Sequence, residues 1–308
     1  MANTLEYAKI FQTELDAQMV AGATSGWMEL NSDMVKYNGG NEVKIPSVVM
    51  DGLADYDRDA GFTKGSVTLS YQTHQLTQDR GRTFSLDAMD VDETNFVATA
   101  GMVLGEFQRT KVIPEVDAYR YSKIASLAIN GSKASGGYTP ATTDILEKLV
   151  ADIYKVYDVV GEGTPLVITM NMGIASVLDT ADKVEKKLDV IDFTQGNVQL
   201  KVKSIDGIPI VRVPSTRMKT AYVFNDGVTA GQESGGFVAD AGALDINWII
   251  SARNSVIAVS KTDTPRIFDP QTNQTAHAWK IDYRKYHDLW IPTNKLDGVF
   301  VNVKQALV

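Results

Sequence analysis

The chain has 308 residues, with 30 basic and 38 acidic side chains and a formal net charge of −8. This charge argues against a dedicated nucleic-acid binder, which carries a basic patch that releases counterions from phosphate. The absence of cysteine excludes disulfide frameworks, thiolate zinc sites and cysteine nucleophiles. No signal-peptide pattern and no run near 18 apolar residues is present, so we expect a soluble protein made in the cytosol.

The N-terminal stretch has apolar residues at intervals of three or four, which predicts an amphipathic helix over 4–20. Glycine-containing breaks follow at 21–26 and 38–41. A helix isolated by such breaks needs another surface for its apolar stripe, and another subunit would provide one.

From Glu42 to Asp87 apolar residues recur at every second position, which predicts a long region of β-strands. One strand ends at Met50, with Pro46 marking a sheet edge. A second covers 64–76, and a third follows a predicted turn at 78–81. A single sheet layer of this kind is marginal alone, because it has no opposite layer to pack on.

The longest helical segment covers 90–130. Asp90 and Glu93 have the spacing of a capping box. Pro114 lacks an N–H group and must kink or interrupt the helix. The part before it, about 20 residues, would span roughly 30 Å, a length that suits a strut better than a compact bundle helix.

A flexible joint at 131–140 leads into a region where helices and strands alternate. Two strands meet at an Asp206–Gly207 turn. The stretch 226–243 holds five glycines and is predicted to be a long mobile loop. Closer to the C-terminus, apolar residues alternate with charged ones, which predicts a strand with one solvent-exposed face. The apolar residues are Trp279, Ile281 and Tyr283.

Three acids at alternate positions resemble a calcium-binding loop: Asp55, Asp57 and Asp59. In such a loop, glycine stands at position six and glutamate at position twelve, whereas this chain has Ala60 and Ser66 there. Arg58 lies in the middle of the supposed cage and would repel a cation. The pattern therefore favours a charged contact loop over a metal site.

Catalytic patterns are weak throughout the sequence. The three histidines lie far apart: His74, His277 and His287. His287 adjoins Asp288, but neighbours on a strand point to opposite faces, so a structural role is favoured over half of a catalytic triad. No nucleophile elbow, zinc-protease motif or phosphate loop is present, and the nearest dinucleotide-like stretch is incomplete. We predict no enzyme activity, no cofactor and no metal.

Four stretches of the sequence resemble those of a known protein family in their residue types and in their order along the chain. They are "RTFSLDAMDVDETNFVATAGMVLGEF", "KVIPEVDAYRYSKIA", "SIDGIPIVRVPSTRMKTAY" and "KIDYRKYHDLWIPTNKLDGVFV". Over nearly its whole length the chain resembles tailed-bacteriophage major capsid proteins of the Hong Kong 97-like fold. The resemblance implies an α+β fold with an N-arm, an extended β-hairpin loop, a spine helix, a peripheral domain and an axial domain.

The same resemblance implies a division into five segments: 1–41 as N-arm, 42–90 as extended loop, 91–140 as spine helix and peripheral domain, 141–252 as axial domain, and 253–308 as C-terminal peripheral strands. The Gly-rich loop is expected near the capsomer axis. Nine residues are candidate inter-subunit contacts: Asp55, Tyr56, Asp57, Arg58, Asp59, Phe62, Lys64, Arg80 and Arg82.

The implied function is a major capsid protein whose hexamers and pentamers form an icosahedral shell around phage double-stranded DNA, without sequence-specific DNA binding or a membrane. A separate scaffolding protein, a portal and a decoration protein are the implied partners. The implied location is the virion, after assembly in the host bacterial cytoplasm. Two alternatives stay open: a nanocompartment shell of the same fold enclosing protein cargo, and a calcium-dependent β-rich binding protein.

Overall fold

The computed structural model describes residues 22–37, 42–59, 61–87, 99–181, 188–195 and 198–307. These residues contain fifteen strands, in this order: β1 (Lys36–Tyr37), β2 (Glu42–Met50), β3 (Val67–Gln75), β4 (Gln78–Asp87), β5 (Ala134–Ser135), β6 (Leu166–Asn171), β7 (Leu188–Gln195), β8 (Val198–Ile205), β9 (Ile208–Val213), β10 (Tyr222–Phe224), β11 (Phe237–Ala239), β12 (Ile246–Ala252), β13 (Ile257–Phe268), β14 (Ala278–Trp290) and β15 (Val299–Val303). The α-helices are α1 (Thr99–Phe107), α2 (Ile113–Asn130), α3 (Ile145–Val160) and α4 (Met172–Asp179). The predicted α+β class is confirmed.

Three short 3-10 helices and one π-helical turn complete the described elements: Gly26–Met34, Ser215–Arg217 and Thr293–Gly298 are 3-10, and Gln108–Val112 is π-helical. Several predicted features lie outside the described residues. These are the helix over 4–20, the break at 38–41, the Asp90–Glu93 capping box and the start of the spine helix near Val91.

The first sheet is an antiparallel ribbon with strand order β1-β2-β3. β2 and β3 pair along their full length, from Glu42 opposite Gln75 to Met50 opposite Val67. β1 pairs only with the start of β2, so Pro46 lies on an open edge, as predicted. The two long predicted strands are therefore confirmed as a hairpin.

The predicted turn at 78–81 is wrong, because β4 begins at Gln78 and continues unbroken to Asp87. β4 does not return to β3. It pairs along its whole length with β14, from Gln78 opposite His287 to Asp87 opposite Ala278. The described part of the predicted extended loop of 42–90 thus contains a hairpin and a strand that belongs to another sheet.

Gly81 allows this close pairing of β4 with β14. A Cβ atom added at Gly81 would lie 2.8 Å from the backbone oxygen of Tyr283, which is closer than a real Cβ contact. We expect Gly81→Ala to lower the free energy of unfolding by about 1–3 kcal/mol, because the strands must separate to admit the methyl group. Urea denaturation measures this change. Gly52→Ala is the matched control, since nothing lies within 4 Å of an added Cβ there, and equal stability losses in the two variants would contradict the explanation.

The spine is a helix interrupted where Pro114 was predicted to act. α1 continues into a π-helical turn at Gln108–Val112, and α2 begins directly after it with Pro114 in its first turn. Proline has no N–H group to donate a hydrogen bond to the preceding turn. The helix therefore changes from the α-helical to the wider π-helical hydrogen-bond pattern just before Pro114. The helix is not broken, since both residues flanking the π-turn keep right-handed helical angles.

A seven-stranded sheet forms the centre of the chain, in the order β5-β15-β12-β6-β9-β8-β7. β6 and β12 are buried along their whole length. One face packs under α3 and α4, and the other packs against α2. The predicted turn is confirmed, because Asp206 and Gly207 have φ angles of 50° and 80° and join paired strands β8 and β9.

β15 lies inside this sheet, between β5 and β12. The resemblance assigned β15 to the peripheral strands and β12 to the axial domain. The domain boundary expected between residues 252 and 253 therefore divides the chain, but strands from both sides of that boundary lie in one sheet.

β14 is the centre of the remaining sheet, whose order is β13-β14-β4. Its first half has the predicted alternation, with Ile281 and Tyr283 buried and Arg284 exposed. From Lys285 onward the alternation ends, because every residue to Trp290 is buried. Lys285 is accommodated there by an ion pair with Asp263.

Candidate assembly surface

The hairpin of β2, β3 and their connecting loop, residues 42–75, is called the arm below. Nine of its large apolar side chains are exposed: Val48, Val49, Met50, Leu53, Tyr56, Phe62, Val67, Leu69 and Tyr71. Consecutive strand residues point to opposite faces, so exposure of every residue from Val48 to Met50 means that neither face is covered. An apolar surface of this size on both faces is typical of an interaction site.

The arm ends in a formed turn. Asp57 and Gly61 make an isolated antiparallel bridge, and Gly61 has a φ angle of 82°. The Asp59 amide donates to the Asp57 carboxylate at 2.7 Å. Tyr56 and Phe62 stack edge to face with ring centroids 4.9 Å apart. The tip therefore presents a preformed aromatic pair among charged side chains.

Seven of the nine predicted contact residues lie together at this tip, and all seven are exposed: Asp55, Tyr56, Asp57, Arg58, Asp59, Phe62 and Lys64. The alternate acids do not converge on one point. Among the described residues, no three carboxylate or imidazole groups are placed to hold a metal ion. The tip geometry favours contact with another surface over the calcium alternative.

The neck of the arm is closed by Asp51 and Ser66. The Ser66 amide and hydroxyl both donate to one oxygen of the Asp51 carboxylate, at 2.6 and 2.8 Å, and the Asp51 amide donates to the Ser66 carbonyl at 3.2 Å. The Ser66 amide, followed by its hydroxyl, lowers the pKa of Asp51 below its usual value of 3.8.

This lowered pKa gives a pH-dependence for the neck. A carboxylate with a depressed folded pKa stabilises the fold above its unfolded pKa, and the contribution is lost as the pH falls through the folded value. We expect Ser66→Ala to raise the pKa of Asp51 towards 3.8, because one of its two donors is removed. NMR titration of the Asp51 carboxyl carbon in the unassembled protein measures this. An unchanged pKa would show that the hydroxyl contributes nothing.

The base of the arm is tied to the body through Thr77. Its amide and hydroxyl donate to Asp288 at 3.0 and 2.8 Å, and the Tyr119 hydroxyl donates to the other oxygen of Asp288 at 2.6 Å. Burial, and then the Asp288 charge, raises the pKa of Tyr119. The arm therefore leaves the body from a buried anchor on α2 and β14. No sequence motif indicated this anchor.

His287 and Asp288 are both buried, and Asp288 is engaged by this anchor. His287 packs edge to face on Tyr119, with ring centroids 5.5 Å apart. Burial, followed by the charges of Arg120, Lys285 and Arg80, lowers the pKa of His287. Both side chains contact one tyrosine, although neighbours on a strand were expected to point to opposite faces.

Arg80 and Arg82 lie on β4, away from the tip, and bond to the chain's own Gly-rich segment. Arg80 pairs with Glu115 on α2 and donates to the Gly236 carbonyl at 3.2 Å, and Arg82 donates to the Glu233 carbonyl at 3.2 Å. The two arginines thus connect the base of the arm to this segment.

The Gly-rich segment contains more order than a long loop. Its β11 pairs with β10, from Tyr222 opposite Ala239 to Phe224 opposite Phe237. Its turn packs on β4 and α2, and not on the strands of the axial segment alone. Residues 237–239 of the predicted loop thus form a strand, and the two arginines bond to the turn that precedes it.

No helix in the described ranges has both the length and the apolar character needed to cross a membrane.

Comparisons with solved structures find a similar fold in phage capsids and in a virus-like particle. No family model and no curated protein matches this sequence. Among solved structures, the mature capsid of bacteriophage PhiM1 is similar with a TM-score of 0.56, 12% identity, and coverage of 88% of this chain and 84% of that one. The capsid of the cyanophage P-SCSP1u gives 0.55 and 10%, covering 88% and 86%. A virus-like particle from Pyrococcus furiosus gives 0.52 and 9%, covering 96% and 99%.

These similarities extend over most of each chain at sequence identities that carry only the fold. The chain therefore has the Hong Kong 97-like fold, as the sequence predicted.

Proposed function

We propose that this chain is a major capsid protein that self-assembles into an icosahedral shell around phage double-stranded DNA. The observation that carries the proposal is the arm, whose nine exposed apolar side chains have no cover in the monomer. A shell subunit buries such an arm against neighbouring copies, because closed assemblies are built from repeated interfaces of this kind. The fold shared with phage capsids supports the same function.

The proposed assembly contains hexamers and pentamers of this chain in the virion, formed in the host bacterial cytoplasm. A separate scaffolding protein, a portal and a decoration protein are the proposed partners. The net charge of −8 suits a container that encloses DNA without binding it tightly or by sequence. We propose no catalytic role for the chain.

The nine candidate residues remain the proposed inter-subunit contacts. The seven residues at the tip provide aromatic side chains for packing against a neighbouring subunit. They also provide charges that determine the register of the contact and the choice of partner. Arg80 and Arg82 also bond within their own chain, so they fix the base from which the arm extends.

Reversing two tip charges tests the electrostatic part of this surface. We expect Asp57→Lys with Asp59→Lys to leave the monomer folded, because both side chains are exposed, and to reduce particle yield about tenfold or more at low salt. Sedimentation of assembled and unassembled fractions measures the yield. Normal yield from the double variant would remove these charges from the assembly surface.

Electron microscopy of the purified protein tests the function directly, with and without co-expressed neighbouring gene products. Capsid-sized shells that need a scaffold and contain DNA would support the proposal. Small closed shells from the protein alone, filled with protein cargo, would replace it with the nanocompartment alternative. A monomer whose melting temperature falls on adding a chelator would replace it with the calcium-dependent binding protein.

A further inference from the structure

We infer that the base of the arm is an acid-sensitive hinge, which stays closed while His74 and His287 are neutral and opens when they take up protons. The inference goes beyond the proposed function, because it concerns the arm of the unassembled chain. Only Leu76 and Thr77 lie between β3, the last strand of the arm, and β4, which belongs to the sheet built on β14. The direction of the arm therefore depends on how these two residues are held.

Both hinge residues are held by β14 and α2. Leu76 is buried, and its carbonyl accepts the Tyr286 hydroxyl at 3.1 Å. Thr77 donates to the buried Asp288 carboxylate through its amide and its hydroxyl, and the Tyr119 hydroxyl donates to the same carboxylate. A closed hinge thus requires these elements to stay packed around one buried charge.

Two of the three histidines of the chain lie at this hinge. His74 is near the end of β3 and stacks on the Trp290 ring, with ring centroids 5.5 Å apart. His287 adjoins the anchoring carboxylate on β14 and packs on the Tyr119 ring. Trp290 and Leu76 belong to one buried apolar cluster. Both imidazoles therefore contact the groups that hold the hinge closed.

The closed hinge favours the neutral form of both imidazoles. Nε2 of His74 and Nδ1 of His287 are buried, and the described residues provide neither atom with a hydrogen-bond partner. An imidazolium donates from both ring nitrogens, so protonation would bury an N–H group without an acceptor. Burial lowers the pKa of both histidines. For His74, burial outweighs the opposing charge of Asp288, and the charge of Lys123 acts in the same direction as burial.

The charged groups around His287 come from every element packed against it. The cations are Arg80 on β4, Lys111 in the π-turn, Arg120 on α2 and Lys285 on β14. The carboxylates are Asp79 on β4, Glu115 on α2, Asp226 in the turn before β11 and Asp288 on β14. Each of these carboxylates already accepts a hydrogen bond from another group. A proton on His287 would therefore face four cations, while the carboxylates named here are already engaged.

Opening of the hinge returns both imidazoles to water, where their pKa is near the ordinary value of 6.5. Below that pH the open state binds more protons than the closed state, so the equilibrium moves toward opening as the pH falls. The closed hinge is therefore most stable above pH 6.5 and loses stability below it. Each histidine that stays neutral in the closed state contributes up to about tenfold per pH unit.

Carboxylates near the hinge titrate in a lower range of pH. Hydrogen bonds from Arg284 lower the pKa of Asp79 below 3.8. Burial raises the pKa of Glu29, but the charges of Arg120 and Lys285 outweigh burial and lower it below 4.5. The stabilisation from these two carboxylates is lost only as the pH falls through those lowered values. The range from about pH 7 to about pH 5.5 therefore separates the histidines from these two acids.

Hydrogen exchange of the unassembled protein tests the hinge. Between about pH 7 and about pH 5.5, we expect the protection factors of residues 72–77 to fall by about tenfold or more. The amides of β12 are the internal reference, because every residue of this strand is buried, and they should stay better protected at both pH values. Unchanged protection at 72–77 would overturn the inference. Protection equal to that of β12 at the lower pH would also overturn it, because the protons would then enter only through global unfolding.

Substitution of the histidines provides a second readout. His74→Gln with His287→Gln removes both protonation sites and should reduce the fall in protection to less than about twofold. His277→Gln is the matched control, since His277 is exposed, and should keep the full fall. If the double variant does not fold, either single variant takes its place and should show a smaller fall than the unaltered chain.

A full fall in protection in the variants that lack His74 or His287 would overturn the inference. The proposed function would stand in that case, because exchange is measured on the unassembled chain. Absence of any particle from the unaltered protein, with and without partners, would overturn the proposed function and leave the exchange result for the hinge unaffected.

Discussion

Replacing the three most exposed apolar residues of the tip, Leu53, Tyr56 and Phe62, with serine is expected to abolish shell assembly and leave a folded monomer. These side chains bury little against their own chain, with exposed fractions of 108%, 59% and 87%. Burying each one against a neighbour would contribute about 1.5–3 kcal/mol. The triple variant should therefore weaken each arm contact by roughly 5 kcal/mol or more, which is on the order of a thousandfold or greater.

Two measurements check this expectation. Sedimentation and electron microscopy should show no particles, while the melting temperature of the unassembled protein should change by no more than about 2 °C. Val159→Ser is the matched control, because Val159 is 55% exposed but lies at the end of α3, away from the arm. Shells formed by the triple variant at normal yield would contradict the assignment of the arm as the assembly surface.

Removing the carboxylate of Asp117 is expected to produce the largest loss of monomer stability. Asp117 is fully buried on α2 and accepts the amides and hydroxyls of Thr24 and Ser25, at distances from 2.6 to 3.1 Å. Its carboxylate also pairs with Arg217 at 3.0 Å. One side chain thus joins the segment before the first 3-10 helix, the spine and the segment after β9.

Asp117→Ala should lower the free energy of unfolding by roughly 3–5 kcal/mol, because it leaves a charge and several donors buried without their partner. Urea denaturation of the unassembled protein measures the change. Glu106→Ala is the control, since Glu106 and Arg109 form an ion pair with side chains 58% and 72% exposed, and such pairs contribute at most about 1 kcal/mol. Similar losses in the two variants would show that the Asp117 network does not support the fold.

Local patterns were sufficient where the decisive interactions are close in sequence. Strand alternation predicted β2 and β3, and the missing N–H of Pro114 predicted the interruption that appears as a π-turn. Asp206 and Gly207 supplied the backbone angles that their turn requires. Seven contact candidates came from a single loop, and the structure brings them together because that loop is one hairpin tip.

Distant partners explain the remainder. Residues 78–81 have turn-forming composition but extend as a strand, because β14, about 200 residues later in the chain, supplies their hydrogen bonds. Arg80 and Arg82 were predicted as inter-subunit contacts together with the tip residues, and the structure also bonds them to the carbonyls of Gly236 and Glu233 in their own chain. The solvent-exposed face expected along β14 ends at Lys285. This lysine is buried because it forms an ion pair with Asp263 on the adjacent strand.

The sequence by itself determined the hairpin and the interrupted spine, because periodicity, proline and turn residues act over a few positions. The α+β class and the capsid-like order of elements were implied by the family resemblance of four stretches of the sequence. Only the tertiary structure decided that β4 leaves the hairpin, that β15 enters the central sheet, and that the outer part of the arm, from Val48 onward, is bare on both faces. Those features depend on backbone hydrogen bonds and burial between segments far apart in the chain, and no local pattern carries that information.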